Sequence, residues 1–347
     1  MLYLLCIIIV CLIAIIADQK KSKLAVFLIA LLLSLFCGLR GILVGVDTIH
    51  YYEFLSYVRE SGILFGSDIG FSAISYILMG GLENPHHALL IYAFITNFLI
   101  VFRLWDFEER ASFPLMILIF MVLHYPYTFN IVRQYLAISI IFWGTKYLER
   151  SQYSKYIILN IIAATMHTSS LLCFCLLFVS FGYKKQKKKY KILGLVLAIL
   201  FVIIGLVVFE TNAAKYGMYF EKTTESIHPM TILKFFCIFI VMWANKIAIN
   251  SKFSISKSGD YVPMNKEVAF MYQAGLGVSL LGMFYSFMNR IGFYFMMYEM
   301  PFWGQAVRAV KNAWIYKLLI TAILLYTIVM TLLDESSGLM NYTTFIE

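Results

Sequence analysis

A chain of 347 residues that is 61% hydrophobic and 14% charged, with a mean hydropathy of +0.81, lies far from a soluble domain, where about 25% of residues are charged. That balance excludes a water-soluble globular protein, and no polar stretch is long enough to fold as a soluble domain of its own. The formal net charge of +9 needs no nucleic-acid partner, because the cytoplasmic loops of membrane proteins collect Lys and Arg.

The predicted class is all-α: one polytopic transmembrane domain over 1–347 with about ten to twelve membrane segments. The apolar runs are too long and unbroken for the alternation of a β-barrel. In chain order, the expected spans are 2–17, 24–39, 88–104, 112–125, 130–148, 190–209, 230–247, 267–287, 291–307 and 314–333. Residues 2–17 have no basic residue before them and no small-residue cleavage site, so they read as a retained span rather than a signal peptide. The stretch 156–183 is apolar but interrupted by Met166-His167-Thr168-Ser169-Ser170. It is expected to form a hairpin of two short helices, or to re-enter, with His167 at the turn.

Basic residues set the orientation. The loop 184–191, with six lysines, is the cytoplasmic anchor, and 18–23, 103–110, 146–155, 246–266 and 308–317 fall on the same side. All but seven of the 28 Lys and Arg are then cytoplasmic. The seven are Arg40, Arg59, Arg133, Lys215, Lys222, Lys234 and Arg290. Lys215 and Lys222 belong to a mixed-charge loop. Arg40, Arg133 and Arg290 each stand at the outer end of a span, where an arginine is either an interfacial snorkelling residue or a paired, functional one. The outer loop, about 40–87, is the longest polar region, and its middle, Ile69 to Met79, is expected to form a short interfacial helix.

Four constellations carry candidate chemistry. In the first, Gly38-Leu39-Arg40-Gly41 leads to Asp47, which either pairs with an arginine or caps the following helix. In the second, Arg133 and Gln134 open a span at its outer end. A helix N-terminus attracts anions, and the planar guanidinium fork suits phosphate. In the third, His167 lies between two apolar half-helices, either as a packing residue or as a proton-transfer group. In the fourth, Arg290 and Tyr294 lie one helical turn apart on one face.

The six cysteines, at 6, 11, 37, 173, 175 and 237, have no metal-site or redox spacing and read as small packing residues. Walker, GxSxG, HExxH and EF-hand motifs are absent. His86-His87 reads as a loop pair.

Taken in order, "LRGILVGVDTIHYY", "NIVRQYLAISI", "AATMHTSSLL" and "NRIGFYF" resemble the EpsG family of exopolysaccharide polymerases, which is related to the Wzy polymerases of O-antigen and capsule. The resemblance covers roughly residues 30–310. It departs at Val46, where the family often has Thr, and at Asp68-Ile69, where Glu-Pro is frequent, so no role is carried over to 68–70.

The resemblance implies a metal-independent, cofactor-free glycosyltransferase. It would join oligosaccharide repeat units carried on undecaprenyl pyrophosphate, at the outer face of the bacterial cytoplasmic membrane. Arg40, Arg133, Gln134, Arg290 and Tyr294 would bind pyrophosphate, with Arg133 also stabilising the charge that develops on it. His167 would be the base for the acceptor hydroxyl, and Asp47 a second base or the group that orients Arg40. A chain-length regulator and a flippase are the implied protein partners, beside membrane lipids. A lipid-linked oligosaccharide flippase and a membrane acyltransferase stand as alternatives.

Overall fold

The computed structural model describes residues 2–64, 66, 68–184, 187–211, 266–281, 286–309, 321, 325, 339 and 342–345. The expected span 230–247, most of 314–333, and Lys215, Lys222, Lys234 and Cys237 lie outside them. Among the described residues the structure is helical, apart from one isolated antiparallel bridge between Arg40 and Thr344. Internal contacts divide the chain into two compact units. One comprises Met1–Trp143, Thr165–His167 and Met300–Glu347; the other comprises Gly144–Ala164 and Thr168–Glu299.

The first unit opens with α1 (Leu2–Lys20). It is apolar all round, with Val10, Ala14 and Ala17 buried and Leu5, Ile8, Leu12 and Ile16 exposed. That is the pattern of a core helix or a membrane span rather than of an amphipathic surface helix. α2 (Lys23–Gly38) starts at Ser22, whose hydroxyl accepts from the Ala25 amide at 3.3 Å. Two helices follow in the expected outer loop, α3 (Thr48–Ser61) and α4 (Ile69–Gly81). The second is the short helix read from the sequence. At 13 residues it reaches about 20 Å, too short to span a bilayer.

α5 (Pro85–Trp105) packs along α2. Gly38 makes the approach close, since a Cβ there would overlap Leu90. α1 and α5 are the two described helices long and apolar enough to cross a membrane; α2, α4, residues 113–124, 168–182 and 192–204 are shorter apolar helices. His86 and His87 are not loop residues but fill the first turn of α5, where Asn84 caps the helix by accepting from the His86 amide at 2.9 Å.

The expected span 112–125 is a composite. α6 (Phe113–Ile119) widens into a π-helical turn over Phe120–His124, in which the Tyr125 amide donates to the Phe120 carbonyl at 2.8 Å. Pro126 follows, and with no amide it cannot continue the ladder. α7 (Tyr127–Asn130) is one turn long, and α8 (Val132–Glu149) begins after a break at Ile131.

α9 (Tyr153–Met166) ends at His167, as the interruption in the sequence suggested. In the second unit, a 3-10 segment (Thr168–Phe174) and α10 (Cys175–Lys184) follow. The Tyr156 hydroxyl donates to the Cys173 carbonyl at 2.8 Å, so the chain folds back beside α9. α11 (Lys188–Thr211) packs on α10, and α12 (Lys266–Leu281) packs on α13 (Ser286–Met296).

The expected span 291–307 is not continuous. It breaks at Met297–Tyr298, and α14 (Glu299–Ala309) begins anew. Pro301 explains the break. In an unbroken helix its ring would strike the carbonyl of Met297, whereas in the first turn of α14 its missing amide costs nothing.

Candidate functional site

Three segments of the first unit, the start of α4, the start of α8 and residues 165–167, meet at Asp68. The residue holds the N-cap position of α4, and its carbonyl accepts the first helical bond, from the Ser72 amide at 2.9 Å. Its side chain makes no capping bond. Oδ2 instead accepts from Arg133 Nη1 at 3.1 Å and from His167 Nδ1 at 3.3 Å. An ionised carboxylate only accepts, so Nδ1 is the donor in this bond.

Local sequence explains the meeting. Arg133 stands in the first turn of α8, and His167 follows the last residue of α9. Gly70 lets the start of α4 press against the end of α9, because a Cβ there would overlap Thr165 and Met166. Asp68 is 5% exposed, whereas the Arg133 and His167 side chains are 39% and 20% exposed. A buried carboxylate thus holds a cation and an imidazole that both reach the surface.

Tyr51 and Phe71 flank the arginine, with the guanidinium carbon 5.9 Å from each ring centre. The Tyr51 hydroxyl accepts from the Arg133 amide at 3.5 Å. Burial raises the Tyr51 pKa above its ordinary value and Asp47 adds to the rise, while Arg133 opposes it. The net direction is upward, so Tyr51 stays a neutral hydroxyl at physiological pH.

Arg40, expected at the phosphate, lies buried in the first unit. It is 1% exposed, and its donors are taken up by the chain itself. Nε bonds Thr48 Oγ1 at 2.9 Å, Nη1 the Cys37 carbonyl at 2.7 Å, and Nη2 the Phe129 carbonyl at 3.1 Å. Its plane lies over the Phe129 ring. Buried in this way, it fastens the end of α2 to the start of α3 and to α7.

The loop between α2 and α3 is pinned twice more. The Val46 amide donates to Asn130 Oδ1 at 2.7 Å, and Gly45 makes room for that contact in a left-handed conformation, φ +86°. On its other side the segment 342–345 forms a strap. The Gly41 amide donates to the Thr343 carbonyl, the Phe345 amide to the Leu39 carbonyl, and the Tyr342 hydroxyl to the Phe36 carbonyl. Tyr342 stacks on Phe36 and Phe345 on His86.

Asp47 is half-buried at the N-cap of α3 and makes no capping bond with its side chain, so the capping alternative does not describe it. Gln134 is 2% exposed. Arg290 and Tyr294 belong to the second unit, on α13. Arg290 is half-buried, and the buried Tyr294 hydroxyl shares a 3.1 Å hydrogen bond with that of Ser169.

A sequence model described as the EpsG family matches residues 23–344, nearly the whole chain. The chain belongs to the EpsG family. EpsG is a Wzy-like polymerase family, so the resemblance seen in the four motifs is shown, and over a longer stretch than they covered. No curated protein and no solved structure matches the chain.

Within this EpsG-family protein, the residue that sequence reasoning passed over is Asp68. Its signal was present: a lone carboxylate in Gly66-Ser67-Asp68-Ile69-Gly70, directly before an apolar helix, where the family often has an acidic residue.

Proposed function

We propose that this EpsG-family protein is a multi-pass enzyme of the bacterial cytoplasmic membrane that polymerises polysaccharide repeat units carried on undecaprenyl pyrophosphate, with its site facing outward. The observation that carries the proposal is the meeting of Arg133 and His167 on one buried carboxylate. It brings an anion-binding fork to within two hydrogen bonds of a group able to take a proton.

In the proposed step, a hydroxyl oxygen of the acceptor repeat unit attacks the anomeric carbon of the growing chain. The new glycosidic C–O bond forms as the bond from that carbon to the pyrophosphate oxygen breaks. Undecaprenyl pyrophosphate leaves with the electron pair, and the acceptor proton passes to His167 Nε2. Negative charge grows on the leaving oxygen, where a preorganised guanidinium at a helix N-terminus stabilises it. Arg133 takes that role in place of a metal ion. Arg40 is assigned to holding the loop that carries Asp47, and not to the phosphate. Arg290 and Tyr294 keep their pyrophosphate assignment from the family resemblance alone.

The test is complementation of a strain deleted for the gene. Arg133→Ala and His167→Ala proteins, present at wild-type level in the membrane, should yield single lipid-linked repeat units and no ladder of long polymer. A normal ladder from both overturns the assignment. A flippase would leave the single units on the cytoplasmic leaflet, and an acyltransferase would leave polymer length unchanged.

A further inference from the structure

We infer that Asp68 is the positioning residue of the site, setting the base and the anion ligand with one oxygen atom. This rests on the polymerase reading and deepens it. Oδ2 is 3.1 Å from Arg133 Nη1 and 3.3 Å from His167 Nδ1, so both partners are referenced to the same point. The bond to Nδ1 fixes the ring's tautomer and plane, and hence the direction of the Nε2 lone pair. The bond to Nη1 fixes the guanidinium in register with it.

Asp68 is suited to this by its own setting. It is nearly fully buried, and its backbone is anchored by the first hydrogen bond of α4. Gly70 locks that helix end against Thr165 and Met166, immediately before His167. A side chain in the N-cap position ordinarily accepts from its own helix; Asp68 leaves that role and spends its charge on two other elements. The cost in helix capping is offset only if the carboxylate has a task elsewhere.

The chemistry gives this arrangement a coupling. An incoming pyrophosphate competes with Asp68 for the Arg133 fork. Binding of the pyrophosphate to Arg133 is thereby felt at the atom that also orients His167.

The experiment uses the full-length protein in detergent micelles, with lipid-linked repeat units extracted from membranes of the deletion strain. Initial rates of chain growth are measured at varied donor concentration. Asp68→Asn should lower kcat by about 10²-fold or more, the range of a lost general base, and raise the KM for donor only a few-fold. In the His167→Ala background, Asp68→Asn should cause little further loss of kcat and leave only the few-fold rise in the KM for donor that comes through Arg133, because residues that act as a unit are not additive. Asp68→Glu should recover part of kcat, and it replaces the Asn protein in the comparison should that one fail to accumulate.

A purely structural role for Asp68 would scale kcat with the fraction of folded protein and would add to the His167→Ala loss; either result overturns the inference. Slow turnover by His167→Ala with normal turnover by Asp68→Asn overturns it while leaving the polymerase reading intact. If the wild-type protein does not elongate the lipid-linked units, the polymerase reading itself is lost.

Discussion

Replacing Arg40 with alanine separates a residue that binds substrate from one that holds the fold. The guanidinium serves four acceptors, Thr48 Oγ1, the carbonyls of Cys37 and Phe129 and the Cys37 sulfur, and covers the Phe129 ring. A hydrogen bond to a charged group contributes about 1.5–3 kcal/mol net. Thr48 also donates to the Val44 carbonyl, so its hydroxyl loses least. The Cys37 carbonyl accounts for most of the loss, since the Phe129 carbonyl keeps a 3.5 Å contact from the Thr48 hydroxyl. The contributions overlap, and a total of about 3–5 kcal/mol is expected. At roughly 2–4 °C per kcal/mol, this lowers the unfolding midpoint by about 10 °C. The assay is heating of the detergent-purified protein, followed by size-exclusion chromatography of what remains monodisperse. Polymer yield should fall in step with folded protein. A midpoint equal to that of the wild type, with polymer abolished, would refute the placement and return Arg40 to the list of phosphate ligands.

Other substitutions probe the same unit. Arg133→Lys keeps a positive charge beside Asp68 but loses the bidentate fork, so long polymer should be lost while membrane levels hold. Gly70→Val forces side-chain atoms into Thr165 and Met166. Overpacking of about 1–3 kcal/mol, with α4 pushed off the His167 turn, should shorten or abolish the ladder. Gly45→Ala puts a Cβ 2.8 Å from Asn130 Oδ1 in a left-handed backbone, and a destabilisation of about 1–2 kcal/mol should appear as a lower midpoint. Tyr51 has its pKa raised by burial, so the stability it contributes is complete below about pH 10, its unfolded value, and is lost as pH climbs toward the folded one. Tyr51→Phe should therefore lose less of its midpoint than the wild type between about pH 9 and 11.

Much of the helical order was legible because hydrophobic length alone sets it. α1, α2, α5 and the break at His167 follow from runs of apolar residues and their interruption. The breaks inside 112–125 and 291–307 were missed for a common reason: hydropathy does not register Pro126 or Pro301, while the hydrogen-bond ladder does. At the site, Arg133 and His167 stood out as polar groups in apolar surroundings, and they do share a partner. Arg40 stood out by the same signal, yet it serves backbone carbonyls that no sequence pattern reveals. Asp68 went the other way. Its pairing joins residues 65 and 99 positions apart, and only the close approach at Gly70 brings them together.

The strap of residues 342–345 also bears on how the protein is made. The Tyr342 hydroxyl meets a carbonyl 306 residues earlier, and the loop beyond it carries Arg40 and Asp47. At about 5–20 residues per second, a ribosome delivers the strap roughly 15–60 s after the segment it covers. Throughout that interval the amide of Gly41 and the carbonyl of Leu39 wait without their eventual partners from the strap. Completion of the loop therefore waits on the arrival of the strap, and a nascent protein would begin work only once residues 342–345 have been made.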